Sequence, residues 1–475
     1  MTPVVAAPPS GLAPAESAAN RIRTAGGVAL ARVGVVFLFI ACTITYYGQL
    51  HRAQSGDVYG TIYTAVALVQ EQTIWLDHYV PYIQQHSGEH PYMLSFRPSG
   101  HVITATPTAS SVLAVPVVAA FTAAGARGQD WHAWMEASML TAALTAAVSV
   151  AVVFLLLTRL TTRPRAALIA ATYAWGTLTW GVSGQALWQH GGAVLALALA
   201  LLALIDRRFF LAGLAITAMA AFRLTTPVMA LFLLPLIGRR PADWLRFIAG
   251  AAPLPVALAI YNTVAFGSPW KQGYGSAHIT SAANVGSGHL LNGISGLLVS
   301  PGRGILLYSP VLLFAIAGAV IGRRQTLYRC CAIAFAAYVV VVANVDQWWG
   351  GESFGARKLA DALPLAAVLL VPAVDAIVRR KWLWVYVGLL AWSVFVEALA
   401  AAAWPDSWFG THELTDNATW WHPFDNETVA ALRAGGTGWR LAVTALTFLV
   451  ALGAAATVSA WVSGISRWSR ARLRS

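Results

Sequence analysis

Charge is scarce in this chain. Only 11% of its 475 residues are Asp, Glu, Lys or Arg, against 58% hydrophobic, and just three are lysine. A chain so poor in charge and so rich in apolar residues has no length left for a large soluble domain. Cysteine is nearly missing too: Cys42, Cys330 and Cys331 all fall inside apolar runs, so neither a disulfide framework nor a zinc site is implied. No Gly-Lys-Ser/Thr follows the glycines around Gly286 and Gly288, which excludes a phosphate-binding P-loop. Helix-turn-helix and zinc-finger patterns are absent as well.

What is present is a series of apolar runs of the length a helix needs to cross about 30 Å of hydrocarbon. Twelve are read as spans: 28–49, 135–157, 166–184, 190–205, 209–222, 224–237, 244–265, 305–322, 328–345, 359–378, 383–403 and 438–462. The expected fold class is an all-α polytopic membrane protein. A thirteenth run, 108–125, is arbitrated by charge. If it stays on one side, every arginine cluster shares the side of the N-terminus; if it crosses, the internal clusters move outside. It is therefore assigned to a juxtamembrane or re-entrant helix.

In that topology 21 of the 31 Lys+Arg face the cytoplasm with four acids, and the outer levels hold ten bases and fifteen acids. The formal net charge of +12 is then a topology signal and not a nucleic-acid footprint. The expected organisation is a disordered cytoplasmic tail over 1–27, one membrane domain over 28–462 and a basic cytoplasmic tail over 463–475. The outer loops are 50–134, 266–304, 346–358 and 404–437, and the first carries an interfacial helix with Tyr59, Ile62, Tyr63, Val66 and Val69 at helical spacing. Localisation to a bacterial inner membrane, with both termini inside, follows from the same charge pattern. The excess of arginine and alanine suggests a GC-rich bacterium.

The polar residues gather at the outer level. Asp57 and Asp77 come from the first loop, Gln185, Trp188 and His190 from the next exit, and Arg223 from a hairpin turn. Tyr274 follows Phe266-Gly267-Ser268-Pro269, Arg303 sits in Ser-Pro-Gly-Arg-Gly, and Trp349, Glu352 and Arg357 lie in Trp-Trp-Gly-Gly-Glu-Ser-Phe-Gly-Ala-Arg. An arginine at membrane depth is costly unless it meets an anion, protein or water. Arg223, Arg303, Arg357 and Lys358 suit a phosphate, aromatics suit headgroups or sugar faces, and a carboxylate can take a proton from an attacking hydroxyl.

This ordered set, from Ser55 to Pro372, resembles the bacterial phospholipid-carrier-dependent glycosyltransferases of the GT-C class, relatives of the protein O-mannosyltransferases and aminoarabinose transferases. The resemblance implies an inverting transfer from a polyprenyl-phosphate sugar to a glycan, lipid or protein acceptor in an extracytoplasmic cavity. Asp57 maps onto the base, and Asp77 onto an acid that organises acceptor, phosphate or a metal. A divalent metal, Mg or Mn, is the one cofactor left open, with Asp57 and Asp77 as its ligands. Relatives carry Lys or an aromatic beside the proline that matches Pro107; here Ala and Thr stand there, and Arg97 and His101 are the substitute cations. The competing reading is a transporter or flippase of lipid-linked saccharides, which calls for broken helices near the midplane and an inverted repeat. An O-antigen ligase or polymerase calls for its largest outer loop late in the chain; here the first is the largest.

Overall fold

The computed structural model describes residues 32–50, 56–89, 91–273, 289–379, 382–403, 406–434 and 436–472. About 74% is helical, and the one sheet is a two-stranded hairpin. The chain opens with α1 (Arg32–Tyr47), α2 (Gly56–Gln70) and α3 (Val80–Ser87). Next comes the hairpin β1 (Leu94–Phe96) and β2 (Val102–Thr104), antiparallel with Leu94 opposite Thr104, followed by α4 (Ala109–Ala123). The central helices are α5 (Trp131–Leu157), α6 (Arg163–Trp175), a π-helical turn (Thr179–Ser183), α7 (Gln189–Ile205), α8 (Phe209–Phe222) and α9 (Pro227–Leu233). Then follow α10 (Pro241–Ala251), α11 (Pro253–Phe266), α12 (His289–Val299), α13 (Ile305–Tyr308), α14 (Leu313–Gly322) and α15 (Thr326–Ala343). A 3-10 turn (Arg357–Ala362) leads into α16 (Leu363–Arg379), and α17 (Leu383–Ala402), α18 (Asp406–Thr411), α19 (Glu427–Arg433) and α20 (Thr437–Arg472) complete the chain.

Among the described residues, six helical stretches are long and apolar enough to cross a membrane and seven shorter ones are apolar, so this is an α-helical membrane protein. Several expected spans are interrupted. The run 166–184 ends its α-helix at Trp175, because Gly176 and Gly181 let α17 approach the backbone: a Cβ on Gly181 would lie 2.6 Å from Glu397 Oε2. Pro253 divides 244–265, and Pro310 divides 305–322. The Gly/Ser-rich loop 266–304 contains the apolar helix α12, whose Gly293 lies against the carbonyl of Ala343. The tail 1–27 lies outside the described residues, whereas α20 continues as far as Arg472 into the expected tail.

In helix α2 every residue from Val58 to Ala67 is buried, with α4 and α5 packed against it.

The basic turns collect at one end of the bundle. Arg159 pairs with Asp206 at 3.0 Å, Arg165 with Asp375 at 2.8 Å, and Arg207 and Arg246 both with Asp243 at 3.3 and 3.4 Å. The acids of this end are thereby each held by an arginine, and Asp206 and Asp375 bring separate turns together. Helices α7 and α16 run away from the opposite end, where their first residues gather the polar side chains.

Candidate functional site

At that opposite end, four segments distant in sequence converge on one carboxylate. Asp361, fully buried in the 3-10 turn before α16, forms an ion pair with Arg223, whose Nε lies 2.7 Å from Oδ2, and accepts from His190 Nδ1 at 2.8 Å. The Tyr338 hydroxyl of α15 donates to its Oδ2, and Thr225 lies 3.3 Å from that hydroxyl. His190 Nε2 faces Arg223 Nη1 at 3.3 Å. Arginine cannot accept and the carboxylate cannot donate, so the network fixes the His190 tautomer with its proton on Nδ1. The helix starts of α7 and α16, the end of α8 and the middle of α15 are thus joined by one charge.

Four residues before Asp361, Arg357 faces Asp57. The closest approach, Nη1 to Oδ2, is 3.9 Å, and the two side chains are 14% and 20% exposed. That is ion-pair range and beyond hydrogen-bond reach. From behind, the guanidinium carbon lies 4.9 Å from the ring centre of Trp188, a cation–π contact that holds the side chain in place. Lys358, half-buried, is within electrostatic range of Arg223, Arg357, Asp57 and Asp346. Asp57 itself stands in the first turn of α2, where a carboxylate meets the positive helix end. Gly56 before it packs under Met93 and Tyr92, where a Cβ would lie 2.4 Å from Met93 Cε. Thr61, Thr106 and Thr104 form a hydroxyl chain at 3.0 and 2.7 Å that ties the segment before α4 to α2.

The backbone at Ala105 is approached closely by Gly273. A Cβ on Gly273 would fall 2.4 Å from Ala105 Cα, so two backbones meet here without room for a side chain between them.

Gln185 and Trp188 follow the π-helical turn, a geometry common at functional positions, and Trp188 reaches Arg357. The turn is held from outside: Glu397 Oε2 accepts from the Gly181 amide at 3.1 Å, and Gln49 donates to the Trp180 carbonyl at 3.3 Å. Gln185 is 1% exposed, and neither atom of its amide has a hydrogen-bond partner among the described residues. Buried amides left in this state are rare.

Other expected site residues stand elsewhere. Arg303 is a correction: it is fully buried, donates from Nη1 to Glu427 Oε2 at 2.7 Å and to the carbonyls of Ser353 and Gly355, and from Nη2 to the Gly351 carbonyl at 2.7 Å. Its guanidinium also lies 4.4 Å from the Trp420 ring centre. It organises the loop before Arg357 and has no face left for a phosphate. Gly350, Gly351 and Gly355 adopt φ of 88°, 71° and 65°, which turn those carbonyls inward at positions that favour glycine. Burial raises the Glu427 carboxyl above the ordinary range, against the pull of Arg303. Trp349 is likewise corrected from substrate platform to packing residue: it is 8% exposed, stacked on Trp420 at 6.2 Å and edge-on to Trp348 at 5.8 Å. Glu352 is exposed on the same loop.

Asp77, Arg97 and His101 make a second group around the hairpin. Asp77 accepts from the Val102 amide at 2.7 Å and pairs with His101 Nδ1 at 2.9 Å, while the His101 ring stacks on Trp75. Arg97 donates to the Phe266 carbonyl at 3.1 Å and lies over the Phe266 ring, tying the hairpin to the end of α11. These are clasps of the first loop, so Arg97 and His101 are corrected from substitute phosphate cations, and both Asp77 oxygens are already engaged. Among the described residues no group of three or more His, Cys, Asp and Glu side chains is placed to hold a metal. Tyr274 lies outside the described residues.

Sequence reading missed Asp361, Tyr338, Glu397 and Glu427. Asp361 and Glu397 carried a usable signal, a lone acid inside an apolar run. Tyr338 and Glu427 carried none. No protein-family model, no curated protein and no solved structure matches this chain.

Proposed function

We propose that the protein is a glycosyltransferase that moves one sugar from a polyprenyl-phosphate donor to an acceptor hydroxyl. The observation that carries the reading is the pair Asp57–Arg357, a carboxylate and a guanidinium 3.9 Å apart and both partly exposed. In an inverting single displacement the acceptor hydroxyl gives its proton to Asp57 as its oxygen bonds to the anomeric carbon, and the phosphate leaves with the polyprenol. A positioned base of this kind contributes about 10²–10⁴-fold. Arg357, held by Trp188, and Lys358 take the charge that grows on the departing phosphate. Arg223 has a different part: it is held by Asp361 and His190 and adds positive charge beside Lys358.

The test is lipid mass spectrometry on membranes from cells that carry wild-type protein or Asp57→Asn. Loss of the base leaves the polyprenyl-phosphate sugar to accumulate, and wild type consumes it. A donor lipid that wild type moves across the bilayer without cleaving would replace this reading with that of a flippase.

A further inference from the structure

Helix α17 carries a single acid in its apolar length, Glu397, which has no exposed surface. Among the described residues no cation pairs with it: Oε2 accepts from the Gly181 amide at 3.1 Å, and Oε1 has no hydrogen-bond partner. An ionisable side chain inside a membrane helix is costly to keep, and one without a counter-ion marks a task other than anchoring.

The Gly181 amide belongs to the π-helical turn, and α17 approaches it too closely for a side chain: a Cβ there would lie 2.6 Å from Glu397 Oε2 and 3.2 Å from Ala400 Cβ. Two arms run from this turn to Arg357. On one side Leu178, fully buried, packs against Gly355, where a Cβ would lie 2.9 Å from Leu178 Cδ2. The Gly355 carbonyl in turn accepts from the Arg357 amide at 2.8 Å. On the other side the amides of Gly184, Gln185 and Trp188 donate to the carbonyls of Thr179, Val182 and Ala186 at 2.9, 3.2 and 2.7 Å. These bonds carry the turn to Trp188, whose ring centre is 4.9 Å from the Arg357 guanidinium carbon.

The same stretch of α17 also holds the chain that leads to Asp57. Ala401 lies at i+4 from Glu397, on the same face, and its carbonyl accepts from the Leu50 amide at 3.1 Å, seven residues before Asp57. Gln49 joins the two segments through its bond to the Trp180 carbonyl. One turn of α17 is a common reference for the segments behind both members of the pair.

We propose that Glu397 is a positioning residue for the Asp57–Arg357 pair: its bond to the Gly181 amide sets the π-helical turn, and the turn sets where Leu178 and Trp188 hold Arg357. Its effect on phosphate binding rests on the reading of that pair as the transfer site; its hold on Trp188 does not.

The test is fluorine NMR of the full-length protein in detergent, labelled with fluorotryptophan, with the Trp188 signal identified by its loss in Trp188→Leu. Glu397→Leu moves that signal. Glu397→Gln, which still accepts from Gly181, leaves it in place, and Gly181→Ala, which parts the turn from α17 and keeps the acid, moves it again. Undecaprenyl phosphate binds Glu397→Leu about two- to thirtyfold more weakly than wild type, the range expected when the ring behind Arg357 is displaced. In a Trp188→Leu background Glu397→Leu costs less than it does alone. A side chain that only stabilised helix packing would lower the melting temperature and leave the Trp188 signal where it is. A signal unmoved in both Glu397→Leu and Gly181→Ala overturns the proposal, and so does equal weakening with and without Trp188. A moved signal with binding unchanged by both Glu397→Leu and Arg357→Gln keeps Glu397 as the residue that places Trp188 and removes the phosphate from Arg357.

Discussion

Arg223 at the end of α8 places its Nε 2.7 Å from Oδ2 of Asp361, a carboxylate with no exposed surface. An arginine that sequence alone casts as a ligand is thereby first a counter-ion.

Removing one partner of such a buried pair leaves the other charge uncompensated. Asp361→Asn is expected to lower stability by about 3–5 kcal/mol. Thermal unfolding in detergent measures it, with Asp361→Asn/Arg223→Met costing less than the sum of the single changes. Strict additivity would show that the two side chains do not share one network.

Asp57→Asn separates chemistry from folding. The pair with Arg357 is partly exposed and 3.9 Å long, so its loss is expected to leave the melting temperature within the range of ordinary surface changes, about 0.5 kcal/mol. Transfer, followed as donor consumption, is expected to fall by about 10²-fold or more. Turnover at the wild-type rate would remove Asp57 as the base.

Trp188→Leu takes the ring from behind the Arg357 guanidinium while keeping an apolar side chain. A loss of about 0.5–2 kcal/mol in donor binding is expected, or roughly two- to thirtyfold in Kd. Titration with undecaprenyl phosphate reads it. A Kd unchanged by both Trp188→Leu and Arg357→Gln would place the phosphate elsewhere.

Arg303→Lys is expected to behave almost as badly as Arg303→Met. A single ammonium cannot reproduce a planar fork that donates to Glu427 and to the carbonyls of Gly351, Ser353 and Gly355. Limited proteolysis within 346–358 reports the loosened loop. Full protection in Arg303→Lys would show that charge alone holds it.

Much of this layout was legible in the sequence. Apolar runs located the helices, and arginine clusters located the end where Asp206, Asp243 and Asp375 are paired. Asp57, Trp188 and Arg357 were chosen from residue type and order, and they are neighbours in the fold. What stayed hidden is pairing across distance. Arg223, Arg303 and Arg357 look alike in the sequence, yet the first is bound by Asp361, the second enclosed by Glu427 and glycine-rich backbone, and the third left partly exposed. Helix interruptions were hidden for a related reason. Hydropathy records that 166–184 is apolar, but the approach of Glu397 to Gly181 depends on packing 216 residues away.

The enclosure of Arg303 has a consequence for biosynthesis. Its counter-ion Glu427 lies 124 residues further along the chain. At about 5–20 residues per second the ribosome needs roughly 6–25 s to make that stretch. For that interval the nascent protein adds α13 to α18 around an arginine whose counter-ion has not yet been made. Closure of its loop is therefore among the last events of assembly, and a chain truncated before α19 is expected to reach the membrane and be cleared there by quality-control proteases.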